Sequence, residues 1–320
     1  MELIRGLHNL RSRHAGCVAT VGNFDGVHLG HRAVLARLFE KSAAFAFPSL
    51  VMVFEPTPQE FFGRGEVPAR LTRFREKYEA LAAAGVDRML CIRFGSEYSQ
   101  MPAEQFVSGL LVEGLGVRYL VVGDDFRFGH ARRGDFGMLK ACGRRDGFEV
   151  ENTPTFEVDG ERVSSSRIRR LLLGGEIAAA NRLLGRPYRM SGRIVPGRRL
   201  GRELGYPTAN IRPGRRVLAL HGVYAVRIEG DGLEARDAVA SIGTRPTIDG
   251  DTALLEVHVF NFDGDLYGQH VHVDFFAKLR DERRFESLQA LTEQMNLDAD
   301  EARQILAARA EQAEPMSRQK

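Results

Sequence analysis

The pattern of apolar residues changes halfway along this chain, and that change restricts the folds open to it. In the first half, short valine-rich runs such as Cys17–Val21 and residues 50–54 alternate with apolar residues at helical spacing. Residues 89–94 and 119–122 repeat the runs, and Pro102 begins another helical stretch. Strands that alternate with helices in this way predict a parallel sheet with helices on both faces, which is an α/β domain.

The second half of the chain contains apolar runs that are separated by turn residues rather than by helices. The runs lie at 188–195, 223–228, 238–242, 254–262 and 270–276. Successive antiparallel strands at this spacing predict a small β-barrel. A last amphipathic helix is predicted from about Glu286, with Leu288, Leu291 and Met295 on one face.

Length and charge limit the functional classes. At 320 residues the chain is longer than one hydrophobic core usually organises, so two domains and a tail are expected, at 1–186, 187–310 and 311–320. A net charge of +3 is too small to predict nucleic-acid binding, which usually needs a basic patch. The sequence has no apolar stretch of membrane-spanning length and no signal peptide, so no membrane partner is expected and the predicted location is the cytoplasm.

Residues 22–31, Gly-Asn-Phe-Asp-Gly-Val-His-Leu-Gly-His, are the most informative local motif and directly follow the Cys17–Val21 strand. The two commonest phosphate-binding loops, GxxxxGKS/T and GxGxxG, are absent from the chain. Glycines let the backbone approach a ligand closely, and a helix that starts here offers free N–H groups to a phosphate. His28 and His31 share one helix face beside that site. The alternative is a structural turn whose histidines lie on the surface.

Two later segments are expected at the same edge of the sheet. Asp125 follows the strand at 119–122, and a later helix begins with a run of three serines, Ser164, Ser165 and Ser166. The serines can cap that helix and donate to a phosphate, which Arg169 can also bind. Each segment has a plainer alternative, because a serine run is commonly only a helix cap and an aspartate is commonly a turn residue.

The second half has one polar motif of comparable strength, residues 201–210, which end in Pro207, Thr208, Ala209 and Asn210. Thr208 and Asn210 offer neutral oxygens, which suit Mg²⁺ that is already bound to nucleotide phosphates. Without the flanking glycines, the same residues would be interpreted as a loop with an Asx turn.

These motifs occur in one order along the chain, and that order supports a resemblance to a known family. The HxGH pattern at 28–31 resembles the signature of the nucleotidyltransferase superfamily. From about residue 18 to residue 294, the chain resembles the bacterial bifunctional riboflavin kinase/FMN adenylyltransferases, also called FAD synthetases. The resemblance implies a Rossmann-like nucleotidyltransferase domain followed by a β-barrel kinase domain. Ser166 occupies a position where threonine is expected, and Asp125 one where some members have asparagine.

By this resemblance, the first domain transfers the adenylyl group of ATP to FMN, which yields FAD and pyrophosphate. Its implied catalytic residues are His28 and His31, and Asp125 helps to place the flavin phosphate. Because that phosphate is already an anion, the step needs alignment and hydrogen-bond donors rather than a general base, with Mg²⁺ to neutralise the triphosphate. The implied ATP contacts are Gly22, Asn23, Phe24, Asp25, Gly30, Ser164, Ser165, Ser166 and Arg169.

The second domain is implied to phosphorylate riboflavin, whose ribityl hydroxyl is a poor nucleophile and needs a carboxylate base. Alternation along the predicted strand at 254–262 places Leu255 and Val257 on the core face and Glu256 on the opposite face. The family has its base at the position of Glu256, and the alternative is a solvent-facing glutamate. The segment around Arg280 is expected near the flavin. ATP and Mg²⁺ contacts are implied for Gly205, Pro207, Thr208 and Asn210, with Thr208 and Asn210 nearest the metal.

The expected partners are therefore small molecules, namely riboflavin, FMN, FAD and ATP, and weak self-association is allowed. Two rival hypotheses stay open at this point. One is an enzyme with a single activity or another phosphorylated acceptor, and the other is a non-enzymatic flavin-binding regulator or RNA-binding protein. The intact motifs disfavour the first, and the scattered basic residues disfavour the second. His258, His270 and His272 lack the close spacing typical of zinc sites.

Overall fold

A computed structural model of the chain describes residues 1–63, 67–197, 205–215, 217–247 and 250–313. Residue contacts divide the chain into two compact units. The first unit consists of Met1–Pro68 and Arg73–Ser164, and the second of Ala69–Thr72 and the chain from Ser165 onward. The predicted domain boundary near residue 186 stays a prediction.

The first unit is built around a six-stranded parallel sheet, as the alternation of strands and helices predicted. Its strands are β1 Glu2–Arg5, β2 Cys17–Val21, β3 Ser49–Glu55, β4 Arg88–Arg93, β5 Val117–Gly123 and β6 Glu149–Thr153. They lie side by side in the order β1-β4-β3-β2-β5-β6. The direction of strand succession reverses between β2 and β5, so a crevice forms there at the carboxyl ends of the strands.

Helices cover both faces of this sheet. They are α1 Leu29–Phe45, α2 Pro58–Phe62, α3 Phe74–Ala83, α4 Ser96–Gln100, α5 Ala103–Gln105, which continues as a π-helix at Phe106–Gly114, and α6 Phe136–Asp146. A small hairpin follows, with β7 at Glu157–Val158 and β8 at Glu161–Arg162.

The residues of β2 show how the sheet is fixed between its helical layers. All five are buried, and they alternate between the two faces. Cys17 and Ala19 pack in a cluster with Leu139 of α6, whereas Val18 packs with Leu35 and its neighbours from α1. Burial on both faces produces the continuous apolar run that made this strand predictable.

The two edge strands, β1 and β6, were missed by the sequence analysis. Strand β6 reads Glu-Val-Glu-Asn-Thr and buries only Thr153, and β1 has a charged residue at each end. An edge strand has a neighbour on one side only and tolerates polar residues, so it lacks the apolar run of a central strand.

The second unit contains a closed antiparallel barrel, which confirms the predicted architecture. Around the barrel the strands follow the order β10-β13-β12-β11-β14-β9. Their bounds are β9 Tyr188–Val195, β10 Ala209–Arg212, β11 Gly222–Gly230, β12 Leu233–Thr247, β13 Gly250–Val259 and β14 His270–Arg280. Strand β10 was not predicted, because it has only four residues and two of them, Ala209 and Asn210, belong to the polar motif at 201–210.

Among the described residues of this unit, three helices accompany the barrel: α7 Ser165–Leu173, α8 Ile177–Leu184 and α9 Leu288–Ala313. The existence of α9 was predicted, and the helix packs against the barrel through Ala299, Ala302 and Leu306. These residues continue the predicted row of Leu288, Leu291 and Met295 at helical spacing, so they lie on the same face of the helix. Leu288 at the start of that row is 59% exposed, and the packing is closest in the later turns. Residues 314–320 of the predicted tail lie outside the described residues.

Within the described part of the chain, no helix combines the length and the apolar character needed to cross a bilayer.

Candidate active sites

The motif at residues 22–31 connects the end of β2 to the start of α1, at the crevice between β2 and β5. Its backbone has positive φ angles at Phe24 (47°), Gly26 (90°) and Val27 (44°). Such angles are costly for residues with a Cβ and persist only where the surroundings impose them. Phe24 and Val27 are 2% and 1% exposed, so packing of these two side chains holds the loop in its unusual path.

His28 is the N-cap of α1, and its orientation determines which ring nitrogen carries a proton. Its Nδ1 accepts a hydrogen bond from the backbone N–H of His31 at 3.3 Å. An Nδ1 that accepts cannot carry hydrogen, so the ring is neutral and its proton is on Nε2. His28 therefore presents one N–H donor at the start of the helix.

His31 stacks on His28, with ring centroids 3.6 Å apart and an interplanar angle of 17°. Burial lowers the pKa of His31 well below its usual value, and the positive charge of Lys77 lowers that pKa further. Within the described residues, the buried Nδ1 of His31 has no hydrogen-bond partner. The second imidazole is thus also neutral at pH 7, so the pair offers hydrogen-bond donors rather than a double positive charge.

The two remaining glycines of the motif permit close approaches. A Cβ at Gly22 would lie 3.2 Å from the ring of Phe24, and a Cβ at Gly30 would lie 3.3 Å from the backbone oxygen of Val163. The second contact brings the chain just before Ser164 against the loop, as predicted for one of the two later segments. Asn23 is half-buried beside Asp25, which is 7% exposed.

Ser165, Ser166 and Arg169 belong to the second compact unit, where they form the first part of α7. Arg169 donates from Nε to the backbone oxygen of Ala69 at 2.6 Å, which fixes the orientation of its guanidinium. A contact between these three side chains and an ATP molecule stays a prediction.

Asp125 follows β5 on the other side of the crevice, where it is exposed. Its Oδ2 accepts a hydrogen bond from Nη2 of Arg162 at 2.7 Å, and the hydroxyl of Thr155 donates to the neighbouring Asp124. The arginine compensates the negative charge of Asp125. A carboxylate that is paired in this way can lie beside a phosphate at a much smaller electrostatic cost than an isolated one.

An aromatic cluster at the carboxyl ends of β3 and β4 was missed by the sequence analysis. Phe94 follows β4, and its ring centroid lies 5.4 Å from that of Phe61, 5.8 Å from that of Phe62 and 5.6 Å from that of Phe54. Phe61 and Phe62 are 41% and 57% exposed. These rings pack edge to face, and their exposed faces are a surface on which a planar ring can stack.

In the second unit, the described part of the 201–210 motif borders a cavity of about 450 Å³ at one end of the barrel. Pro207, Thr208 and Asn210 line it, together with residues of the 262–267 loop. Gly205 is an exposed turn residue with a positive φ. Residues 201–204 lie outside the described residues.

Asn210 is almost completely buried and offers an amide oxygen to this cavity. It donates from Nδ2 to the backbone oxygen of Thr208 at 3.4 Å, and within the described residues its Oδ1 makes no hydrogen bond. Together with the hydroxyl of Thr208, this oxygen is a neutral ligand of the kind that Mg²⁺ accepts. The residues present thus fit a magnesium ion bound together with a nucleotide.

Glu256 lies on the barrel strand next to Asn210. The residues are direct partners in the β10–β13 pairing, and Ser241 is the partner of Glu256 on its other side. Directly paired residues project from the same face of a sheet with Cβ atoms about 5 Å apart. Leu255 and Val257 are fully buried and Glu256 is half-buried, which confirms the predicted alternation.

A second carboxylate near Glu256 was not identified from the sequence as a candidate base. Glu282 accepts a hydrogen bond from the hydroxyl of Ser241 at 3.3 Å, and a Cβ at Gly243 would collide with its carboxylate. Arg280 belongs to the segment expected near the flavin, which stays a prediction, and it forms a double hydrogen bond with the buried Asp298 of α9, at 3.0 and 2.7 Å. That arginine therefore joins the helix to the barrel.

His258 orients the loop that carries Thr208. Burial lowers the pKa of His258 below its usual value, so the ring is neutral and its Nδ1 donates to the backbone oxygen of Pro207 at 3.0 Å. The ring of Tyr206 packs on the same imidazole at 4.8 Å, and its hydroxyl bonds to Asn296. These contacts explain His258 without a metal.

Comparisons with known proteins agree with this division into two sites. Residues 10–167 match the FAD synthetase family, and residues 184–306 match the riboflavin kinase family. A crystal structure described as a macrolide-efflux protein from Streptococcus pneumoniae has a TM-score of 0.82 and 28% identity, and covers 93% of this chain and 97% of that one.

Curated relatives match over nearly the whole chain. A bifunctional riboflavin kinase/FMN adenylyltransferase from Pseudomonas fluorescens is 50% identical, with 96% of this chain and 98% of that protein covered. The protein of the same description from Escherichia coli K12 is 48% identical, with 95% and 98% covered. Similarity of this extent and degree shows that the chain belongs to the bifunctional riboflavin kinase/FMN adenylyltransferase family.

Proposed function

We propose that the two activities of this family use separate groups of residues in this chain. FMN adenylyltransferase would use the loop at 22–31, and riboflavin kinase would use the barrel around Glu256. The observation that carries the proposal is that these two constellations belong to different compact units. ATP and riboflavin are converted to ADP and FMN in the barrel, and ATP and FMN are converted to pyrophosphate and FAD at the loop.

In the adenylyl transfer, an FMN phosphate oxygen forms a bond to the α-phosphorus of ATP as the bond to pyrophosphate breaks. No proton has to be removed from the nucleophile, so the residues need to align the reactants and stabilise charge on the phosphate oxygens. His28 is suited to this because its Nε2–H is a fixed donor. A single preorganised donor of this kind contributes about 3 kcal/mol to transition-state stabilisation.

The flavin end of the acceptor requires different contacts. We assign the planar ring system to the aromatic cluster at Phe61, Phe62 and Phe94, which is at the same edge of the sheet as the loop. Asp125 and Arg162 would lie nearer the FMN phosphate, where the guanidinium attracts the anion and offsets the charge of Asp125.

In the kinase reaction, Glu256 accepts the proton of the ribityl hydroxyl as its oxygen bonds to the γ-phosphorus and ADP leaves. Thr208 and Asn210 would hold Mg²⁺, which would neutralise the nucleotide phosphates when bound. The pairing of Asn210 with Glu256 supports this assignment, because the proposed general base is then next to a residue proposed to hold the nucleotide. Proton transfer from the ribityl hydroxyl requires the general base to lie close to the bound nucleotide and its acceptor.

Two substitutions test the assignment. Glu256→Gln should abolish formation of FMN from riboflavin but leave formation of FAD from supplied FMN unchanged. His28→Ala should lower FAD formation about a hundredfold and leave FMN formation unchanged. Flavins separated by chromatography after incubation with ATP and Mg²⁺ give both readouts from one preparation, so each variant carries its own folding control. Equal loss of both products in either variant would refute the separation.

The same assay addresses the alternatives. A chain that makes FMN but no FAD would have only one activity, and a chain that makes neither would be a binding protein. A cytoplasmic location is proposed as well, because both reactions draw on ATP.

A further inference from the structure

The first unit has a cavity that the proposed reactions do not use. Its volume is about 560 Å³. It is lined by residues at the amino ends of β5 and β6, by the second half of α6 and by the chain that leaves α1. The loop at 22–31 follows the carboxyl end of β2, so this cavity lies at the opposite edge of the same sheet.

Three cations converge on this cavity, namely Arg118, Lys140 and Arg144. Within the described residues, none of them forms an ion pair or a side-chain hydrogen bond; the contacts of Arg118 and Lys140 are with the rings of Phe47 and Phe136. The adjacent Arg145, which does not line the cavity, forms a double hydrogen bond with Asp146 at 2.8 Å.

All three cationic residues of the cavity are exposed, so their charged groups are accessible to a ligand. Some arginines elsewhere in this unit pair with carboxylates, as Arg37 does with Glu151 and Arg127 with Asp135. The cavity has one acidic lining residue, Glu149, so its side chains carry a net charge of two positive units. A concave site with this charge attracts an anion.

The other wall of the cavity is aromatic. Phe45 and Phe47 line it, and both are half-buried. The ring of Phe47 is held against Gly16, where a Cβ would lie 2.8 Å from the ring. The ring of Phe45 packs against Tyr119 at 5.2 Å. Two fixed rings, one of them in contact with Arg118, beside three cations suit a ligand that has a planar apolar part and an anionic part.

We propose that this cavity is a binding site for a mononucleotide, separate from both catalytic sites. The phosphate would lie among Arg118, Lys140 and Arg144, and the planar base or flavin ring would lie against Phe45 and Phe47. The volume fits one small ligand of this class, since such sites commonly measure about 300–1,000 Å³. Flavin and adenine mononucleotides share the chemistry, and the test distinguishes them.

The test uses the absence of tryptophan from the chain. Phe47→Trp introduces a single fluorophore into the cavity wall of the full-length protein. Its emission is titrated with FMN, with AMP and with inorganic phosphate. The same titrations are made after adding Arg118→Gln and Arg144→Gln together, and after adding Arg145→Gln as the matched control.

We expect a saturable change in emission with at least one of the mononucleotides, and a dissociation constant that the paired substitution raises at least about tenfold, since two phosphate contacts are lost. Arg145→Gln should leave that constant unchanged. The mononucleotide that binds more tightly identifies the natural ligand, and phosphate should bind far more weakly than either. Energy transfer to a flavin in a catalytic site would be insensitive to Arg118 and Arg144, so an equal response in all three proteins overturns the proposal.

A second measurement does not need Phe47→Trp, so it tests the proposal even if that variant does not fold. Equilibrium dialysis with labelled AMP, and separately with labelled FMN, counts the molecules bound by the otherwise unmodified chain. For at least one of the two, the paired substitution should remove one bound molecule per chain, whereas Arg145→Gln should remove none. Unchanged counts for both mononucleotides would also overturn the proposal.

Discussion

A single methyl group placed next to Asn210 should separate the two activities. Gly197 lies just beyond β9 and directly against the Asn210 side chain. A Cβ at position 197 would lie 2.5 Å from Cγ and 2.8 Å from Oδ1 of Asn210, and real Cβ contacts essentially never fall below 3.0 Å. The backbone at this position is not left-handed, so alanine causes a steric conflict but no backbone strain.

The size of the effect follows from the required movement. Carbon atoms in favourable contact are about 3.5 Å apart, so the side chain of Asn210 has to retreat by about 1 Å. A displacement of about 1 Å in an aligned site costs about a hundredfold in rate, which is about 2.7 kcal/mol of transition-state stabilisation. In Gly197→Ala, we therefore expect kcat/KM for riboflavin phosphorylation to fall about a hundredfold.

The assay measures both half-reactions on one preparation, one with riboflavin and ATP and the other with supplied FMN and ATP. The second should stay within about twofold of wild type, because the loop at 22–31 belongs to the other compact unit. Gly109→Ala is the matched control, since a Cβ at Gly109 meets no atom within 4 Å. It should change neither reaction.

Combination with Asn210→Ala shows whether the methyl group acts through Asn210. Once the amide is gone, adding Gly197→Ala should have little further effect, so the two losses should not add. Losses that add, or a Gly197→Ala protein that phosphorylates riboflavin at nearly the wild-type rate, would refute the assignment of Asn210.

Three further predictions concern the first unit. Because burial keeps the pKa of His31 well below 6.5 in the folded state, the unfolded chain binds a proton first as the pH falls, and the folded state loses stability below pH 6.5. Between about pH 7.5 and pH 5.5, the unfolding free energy of wild type should thus fall by about 1.4 kcal/mol more than that of His31→Asn, measured by urea denaturation. An equal fall in the two proteins would contradict a buried, neutral His31 ring. Arg162→Gln should raise KM for FMN about fivefold, because it leaves the negative charge of Asp125 uncompensated. Adding Asp125→Asn should restore KM, and a KM that stays high in the double variant would argue against the charge of Asp125 as the cause. Phe62→Ala should raise KM for FMN in FAD formation about tenfold through lost stacking but leave riboflavin phosphorylation unchanged, and an equal change in both would argue against this surface.

Short contiguous patterns made the central parts of both units predictable. Strand β2 is buried on both faces and reads as an unbroken apolar run, and β13 alternates because one face is buried and the other is not. The edge strands β1 and β6 lack both patterns. The later turns of the packed face of α9 were not identified, since they consist largely of alanines, which give a weaker apolar signal than Leu288 or Leu291.

The candidate sites were predictable only where their residues are close in sequence. His28 and His31 lie on one turn of helix, so their proximity follows from spacing alone. Arg162 and Asp125 are 37 residues apart in the sequence. Their contact depends on how the hairpin that carries Arg162 packs, which spacing alone does not predict. The pairing of Asn210 with Glu256 depends on the register of the barrel, and a shift of one residue would have placed Glu256 opposite a different side chain.

The two proposed sites differ because their nucleophiles differ, although both use ATP. A hydroxyl has to lose a proton, so the barrel needs a carboxylate next to the residues that hold the nucleotide, and Glu256 beside Asn210 satisfies this. The FMN phosphate is already negative, so a carboxylate at the loop is useful only if its charge is compensated, as Arg162 compensates Asp125. The neutral pair of His28 and His31 fits the same requirement, because donors can stabilise the transition state without holding the product phosphates as tightly as two cations would. The phosphate added in the barrel thus removes the need for a base in the step that follows.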